Sequence, residues 1–181
     1  VNAWTWEHMA LTRARVLFGS ESARADVADI IRDVLHTPRE ADTLRHDIAT
    51  MRKDMAAHKS PKGELDVKLL PGGLVDMEFI IHALQLETHD GLQPQLGPAI
   101  DALVAAGHLQ ADFAKAFALM ARLLVMVRLI APDCAAPPEA AQKLIAHSLG
   151  FNDWDGLTQA LRDYRGVVIT QWHSLFGARD F

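Results

Sequence analysis

Hydrophobic positions recur at spacings of three and four residues along most of this chain, which is the period of an amphipathic helix. Such stripes predict helices over residues 2–18, 20–35, 37–58 and 74–85, and further helices from residue 98 to residue 176. The pattern therefore predicts an all-α fold, a helical bundle of about seven helices with one short extended segment near residues 65–70.

The extended segment begins a longer stretch, residues 66–85, around which we expect the rest of the chain to pack. Asp66 and Lys68 alternate with apolar residues, which predicts a short strand, and Pro71-Gly72-Gly73 then ends it. The helix that follows is apolar around most of its circumference, so it should be buried, yet it carries Asp76 and Glu78. Because a buried carboxylate needs a cation or several donors, we expect a basic residue from elsewhere to reach this helix.

Two other helices have clear patterns of their own. The second has an apolar stripe that we expect to be buried, made of Val27, Ile30, Ile31, Val34 and Leu35. For the third, T-P-R-E at 37–40 predicts a capping box with its N-cap at the threonine and its glutamate at N3. The seam of that helix is Leu44, Ile48, Met51 and Met55, and its charged residues (Arg39, Arg45, Asp47, Arg52 and Asp54) are interpreted mostly as a solvated face.

Length and composition indicate one sizeable core, with 181 residues of which 50% are hydrophobic. The glycine- and proline-containing loop at 90–97 predicts a boundary between a motif-bearing lobe, residues 1–90, and a C-terminal lobe, residues 91–181, within one continuous domain.

The net charge of −5 gives no broad surface for nucleic acid. Arg122 and Arg128 interrupt the longest apolar run, so no membrane span is expected. A single cysteine, Cys134, favours the reducing cytoplasm, and a first residue other than methionine predicts a piece of a longer protein.

Candidate chemistry is sparse, and no catalytic or metal-ligating residue is predicted. The nine histidines have no metal-binding spacing and are interpreted as surface or rim residues. Asp76 and Glu78 point about 200° apart on a helix, so they cannot share one metal ion. Gly72 and Gly73, with Lys68 nearby, could hold an anion at the helix N-terminus, although a glycine pair more often forms only a turn.

The two arginines of the first predicted helix leave a further choice open. Arg13 and Arg15 are natural partners for Glu7, Asp76 or Glu78, because the guanidinium group fits a carboxylate. The favoured interpretation is a salt-bridge network that holds the first helix to the Asp76 helix. The alternative is that one of these arginines reaches a nucleotide phosphate on a neighbouring domain.

Four blocks of sequence resemble one family. They are A-W-T-W-E-H-M-A-L-T-R-A-R-V at 3–16, T-P-R-E at 37–40, M-R-K-D-M at 51–55 and D-V-K-L-L-P-G-G-L-V-D-M-E-F-I at 66–80. In this order they resemble the bifunctional glutamine synthetase adenylyltransferase and adenylyl-removing enzymes. The likeness covers residues 3–86 closely and is a helical pattern only from residue 91 onward.

The resemblance implies a position within a larger enzyme. Members have two halves, each a nucleotidyltransferase domain followed by a helical domain, and the opening block looks most like the second half, which adds AMP to glutamine synthetase. By this likeness the chain is the helical domain after the C-terminal catalytic domain, with that upstream domain, glutamine synthetase and the PII signalling protein as partners. ATP and Mg²⁺ would bind the upstream domain, so no cofactor is expected in this chain, and alone it should be inactive.

The residues that would couple the two domains are inferred only from the positions that match the motifs of the family. Arg13, Arg15, Lys68, Gly72 and Gly73 are expected near the nucleotide or the domain boundary. A structural polar network is expected of the carboxylates Glu7, Asp66, Asp76 and Glu78. Two alternatives remain, namely a regulatory module that senses PII or glutamine without touching the nucleotide, and an unrelated helical scaffold.

Overall fold

The computed structural model describes residues 3–178, which form an all-α bundle, as the hydrophobic pattern predicts. The described part contains eight helices and no strand. They are α1 (Thr5–Leu11), α2 (Glu21–Leu35), α3 (Ala41–His58), α4 (Leu74–Thr88), α5 (Leu96–Ala105), α6 (Ala111–Ile130), α7 (Glu139–Ser148) and α8 (Trp154–Phe176).

Helix α4 lies at the centre of the bundle and contacts α1, α3, α5, α6 and α8. Every residue from Leu74 to Leu86 is buried except Glu78, which is half-buried. Neighbours on all sides explain why apolar residues surround this helix instead of forming one stripe. Helices α6 and α8 form the most extensive helix pair of the described structure, and Trp172 of α8 is buried.

One continuous hydrophobic core includes side chains from both of the predicted lobes. Met9, Ile48 and Ile80 belong to it from the first 90 residues, and Phe113 and Trp172 from the rest. The loop at 90–97 therefore joins helices that pack on a shared core.

The alternating segment at 66–69 is a series of turns, so the strand prediction is wrong. Asp66 is buried, and its carboxylate accepts hydrogen bonds from the amides of Lys68 (3.1 Å) and Leu69 (3.0 Å). A side chain that binds the backbone two and three residues later holds a turn, which overrides the period-two pattern.

The first helix is also shorter than predicted. It ends at Leu11, and residues 14–17 follow without regular structure. At this end the Thr12 hydroxyl donates its hydrogen to the carbonyl of Met9 (2.7 Å) and lies against His82 of α4. The predicted start at Asn2 lies outside the described residues.

Two predictions about α2 and α3 are wrong. In α2 only Leu35 is buried, whereas Val27 and Ile30 are exposed, because α2 touches the rest of the bundle mainly at its C-terminal end. In α3 the N-cap is Glu40, whose carboxylate accepts from the amides of Asp42 and Thr43. The hydroxyl of Thr37 instead donates to the carbonyl of Asp33, which removes it from the capping role.

Candidate functional site

The junction between α1 and α4 brings the first and last motif blocks together. The hydroxyl oxygen of Thr12 lies 2.8 Å from Nδ1 of His82, and both side chains are buried. One turn earlier on α4, a carboxylate oxygen of Glu78 lies 3.6 Å from Nη1 of Arg13. The pairing of Arg13 with Glu78 is one of those the sequence suggested, and it lies at the surface with half of the arginine side chain exposed.

His82 holds the buried part of this junction together. Because the Thr12 hydroxyl hydrogen goes to Met9, Nδ1 of His82 must carry the proton and donate to Thr12 and to Oε1 of Gln85 (3.1 Å). Burial lowers the pKa of His82 to about 4, and the positive charge of Arg13 acts in the same direction. His82 is therefore neutral near pH 7, and its prediction as a surface or rim residue is wrong.

A second polar cluster lies at the N-terminal end of α4, around Asp76. Nε of Arg52 donates to Oδ1 of Asp76 at 2.7 Å, with 3% of the arginine side chain and none of the carboxylate exposed. A second guanidinium nitrogen donates to the carbonyl of Leu69, and the Gly72 amide donates to Oδ2 of Asp76. Arg52 thus supplies the cation that the buried carboxylate requires.

Arg52 does not follow the solvated face that we expect for most charged residues of α3, since it is buried. The missed signal is its spacing, because Arg52 follows Ile48 by four residues and so lies on the same side of α3 as a fully buried residue. An arginine on a buried helix face and an aspartate on a buried helix are natural partners.

The glycine pair allows backbone segments to approach each other closely. A Cβ atom on Gly72 would lie 2.5 Å from the carbonyl oxygen of Arg165, and one on Gly73 would lie 2.6 Å from that of Val67. The Gly72 backbone also has a positive φ of 75°, which favours glycine.

The amides that an anion would need are already used inside the protein. The Gly72 amide binds Asp76, that of Gly73 binds the Leu70 carbonyl, and those of Leu74 and Val75 bind carbonyls of the preceding turns. The arrangement favours the turn interpretation of the glycine pair over an anion site.

The remaining candidate residues lie apart from these two clusters. Glu7 accepts a hydrogen bond from the Trp4 amide (2.7 Å) at the start of α1, so it does not join Asp76 or Glu78. The Asp66 carboxylate stabilises its own loop, and Lys68 is exposed beside it. Arg15 is exposed and forms no ion pair with any residue between 3 and 178. A nucleotide-adjacent role for Arg15 and Lys68 stays a prediction.

The described residues, 3–178, contain no cluster of three His, Cys, Asp or Glu side chains that could hold a metal ion. Asp76 faces Arg52 and Glu78 faces Arg13, as their separation on a helix predicts. Within the same range, no helix is both long enough and apolar enough to cross a membrane.

A group of large apolar side chains is exposed near the start of the chain, on α1 and on the segment that follows it. We call Trp4, Trp6, Leu17 and Phe18 the N-terminal apolar surface. Their exposed fractions are 73%, 52%, 75% and 94%. Single exposed apolar residues are ordinary, but here four large ones lie within fifteen residues of sequence.

Comparison with known proteins agrees with the motif resemblance. The family described as GlnD PII-uridylyltransferase has a profile that matches residues 42–131. The bifunctional glutamine synthetase adenylyltransferase/adenylyl-removing enzyme of Rhizobium meliloti (strain 1021) is 37% identical over 172 residues, which are 90% of this chain and 17% of the relative. The enzymes of the same name from Brucella suis and Bradyrhizobium sp. (strain BTAi1) are 32% and 33% identical over 97% and 96% of this chain. The chain spans about 19% of the length of these two relatives. It belongs to the family of bifunctional glutamine synthetase adenylyltransferase/adenylyl-removing enzymes.

Proposed function

We propose that this chain is an accessory helical domain that packs against a nucleotidyltransferase domain lying upstream in the same polypeptide. The whole enzyme would act in the cytoplasm, where it would transfer AMP from ATP to a tyrosine of glutamine synthetase and remove it again, and so regulate nitrogen assimilation. The names of the relatives support the glutamine synthetase assignment, and their greater length leaves room for a catalytic domain.

The observation that carries this proposal is the N-terminal apolar surface. Phe18 is almost fully exposed and Trp4 is largely so, although α1 is anchored to the buried helix α4 through Thr12 and His82. A firmly anchored helix with exposed tryptophan side chains is suited to receive another domain, since large aromatic side chains contribute much of the energy of interfaces.

The polar residues at the same junction would set the orientation of the two domains. The ion pair of Arg13 with Glu78 is partly exposed, so its guanidinium group can also reach a neighbouring surface. ATP and Mg²⁺ would bind the upstream domain. The contribution of this chain is to hold α1 in place on one side of the catalytic cleft.

The proposal is tested by mixing this chain with a separately produced upstream domain and measuring their binding by calorimetry. Trp4→Ser combined with Phe18→Ser should weaken binding by about tenfold or more, since buried aromatic residues dominate such contacts. The matched control is Leu129→Ser with Leu144→Ser, which removes two exposed apolar side chains elsewhere, on α6 and α7. Equal effects of the two pairs, or no binding by the unmodified chain, would contradict the proposal.

A second candidate is a regulatory module that binds the PII protein and responds to glutamine. The match of residues 42–131 to a family named for PII uridylylation favours it. A pull-down of this chain with purified PII, with and without glutamine, tests this candidate. Retention of PII on the chain supports a regulatory module, and absence of retention under both conditions counts against it.

A further inference from the structure

Helix α2 is the least supported helix of the described structure. Its residues 21–30 are all exposed, and it becomes half-buried at Ile31 and fully buried only at Leu35. The Ser20 side chain caps its start by accepting from the Ala23 amide. A helix of 15 residues is only marginally stable on its own in water, so a contact along its exposed side would stabilise it.

A groove runs between α2 and residues 14–16, with a volume of about 720 Å³. The apolar residues that line it are Ala25, Ala28, Ile31 and Leu35 of α2, together with Ala14, Val16, Leu92 and Pro94. Along α2 the lining extends from Glu21 to Leu35, which is about 21 Å at 1.5 Å per residue. The groove is therefore elongated and has the length of a helix of about four turns.

The rim of this groove is basic, although the whole chain has a net charge of −5. Arg15, Arg24 and Arg32 line it, against the single carboxylate of Glu21. Arg32 is paired with Asp29 at 2.9 Å, whereas Arg15 and Arg24 form no ion pair with any residue from 3 to 178.

The aspartates of α2 lie away from the middle of the groove, whereas Glu21 lines it. Asp26, Asp29 and Asp33 are separated from the middle of the groove-lining face by about 100° to 160° around the helix axis, at 100° per residue. Apart from the carboxylate of Glu21 and the pair of Arg32 with Asp29, the groove keeps the positive charge of Arg15 and Arg24 along its apolar floor.

We propose that this groove docks an amphipathic helix of a partner protein, with an apolar stripe on the floor and acidic residues against Arg15 and Arg24. The length of the groove matches a helix, its floor matches an apolar stripe, and its unpaired arginines complement acidic side chains. None of the four residues of the N-terminal apolar surface lines this groove, and the inference does not depend on the proposed function.

The test uses two labelled helical peptides of about 18 residues, each with leucine and alanine on one face. One carries glutamate on its other face and the second carries lysine at the same positions. Fluorescence anisotropy with the complete chain should show binding of the acidic peptide that weakens as salt is raised, and at least about tenfold weaker binding of the basic peptide.

Variants of the chain then locate the binding. Arg15→Glu with Arg24→Glu should weaken binding of the acidic peptide about tenfold or more, and Ala28→Trp, which fills the groove from an exposed position, should do the same. The matched control, Lys53→Glu with Arg128→Glu, makes the same change of charge at exposed positions outside the groove and should leave affinity within about twofold.

Three results would overturn the inference. They are equal affinity for the two peptides, equal effects of the groove and control variants, and no binding of the acidic peptide up to about 0.1 mM. Light scattering adds a fourth. A dimer of the chain that Ala28→Trp dissociates would show that a second copy occupies the groove in place of an acidic helix.

Discussion

Arg52 and Asp76 form a buried ion pair between α3 and α4, with 2.7 Å between Nε and Oδ1. The pair lies where α4 begins, and the same carboxylate accepts the Gly72 amide that precedes the helix. It joins α3, the 66–73 loop and the central helix, so the position of α4 depends on it.

Removing one partner of this buried pair should therefore destabilise the protein much more than removing a surface ion pair. Arg52→Met should lower the free energy of unfolding by about 3–5 kcal/mol, because it removes the guanidinium group that pairs with the buried Asp76 carboxylate. Arg45→Met, which removes the more exposed pair of Arg45 with Glu87, should cost about 1 kcal/mol or less. Urea denaturation of both variants measures the difference, and similar losses would show that the buried pair has no special role.

Gly72 should tolerate a side chain much less well than another glycine with the same backbone conformation. Gly72 and Gly107 have φ angles of 75° and 82°, but a Cβ on Gly107 would meet no atom within 4 Å. Gly72→Ala should therefore destabilise the protein by about 1–3 kcal/mol more than Gly107→Ala, since only Gly72 faces the Arg165 carbonyl. Thermal or urea unfolding compares the two, and equal losses would mean that the loop can move aside.

The neutral state of His82 predicts a dependence of stability on pH. Its pKa is about 4 in the folded protein and near 6.5 when unfolded, so between these values only the unfolded chain takes up the proton. The contribution to stability is complete above pH 6.5 and is lost as pH falls toward 4, by about 3 kcal/mol at 1.4 kcal/mol per pH unit.

Two variants isolate this effect from the titration of other groups. His82→Gln should remove that part of the pH dependence between pH 6.5 and 4, whereas His58→Gln, at an exposed histidine, should leave it unchanged. Urea denaturation at several pH values gives the slopes. An unchanged slope in His82→Gln would show that His82 is not the group responsible.

Replacing Arg13 distinguishes a structural role of this residue from a functional one. Its ion pair with Glu78 is about half exposed on the arginine side, so Arg13→Ala should cost at most about 1 kcal/mol of stability. In a longer protein that includes the upstream domain, we expect the same change to lower AMP transfer by a larger factor than this loss explains. Transfer that falls only in step with stability would make Arg13 a structural residue alone.

Much of the fold could be predicted because, in most helices, the apolar residues at helical spacing are also the buried residues. In α3, α6 and α8 the apolar residues that recur at helical spacing, such as Ile48, Phe113 and Trp172, are the residues that the core buries. Apolar residues surround nearly the whole circumference of α4, and this predicted its central position, since a helix that is apolar on nearly all sides has neighbours on nearly all sides.

The predictions that were wrong have physical causes, local or long-range, that the spacing of apolar residues does not reveal. Asp66 converts an alternating segment into turns through hydrogen bonds to its own backbone. Val27 and Ile30 follow a helical stripe but are exposed, because a stripe shows which side of a helix is apolar and not whether anything covers it. The partner of Asp76 lies 24 residues away on another helix, so Arg52 could be found only by asking which arginine shares a buried face.

The measurement that tests the accessory role most directly is incorporation of labelled AMP into glutamine synthetase, with ATP and Mg²⁺ present. This chain alone is compared with a longer protein that adds an upstream domain of about 150–200 residues. We predict label transfer by the longer protein and none by this chain. Transfer by this chain alone would contradict the assignment, since it would require an active site among the residues interpreted here as structural, and transfer by neither protein would favour the PII-binding module.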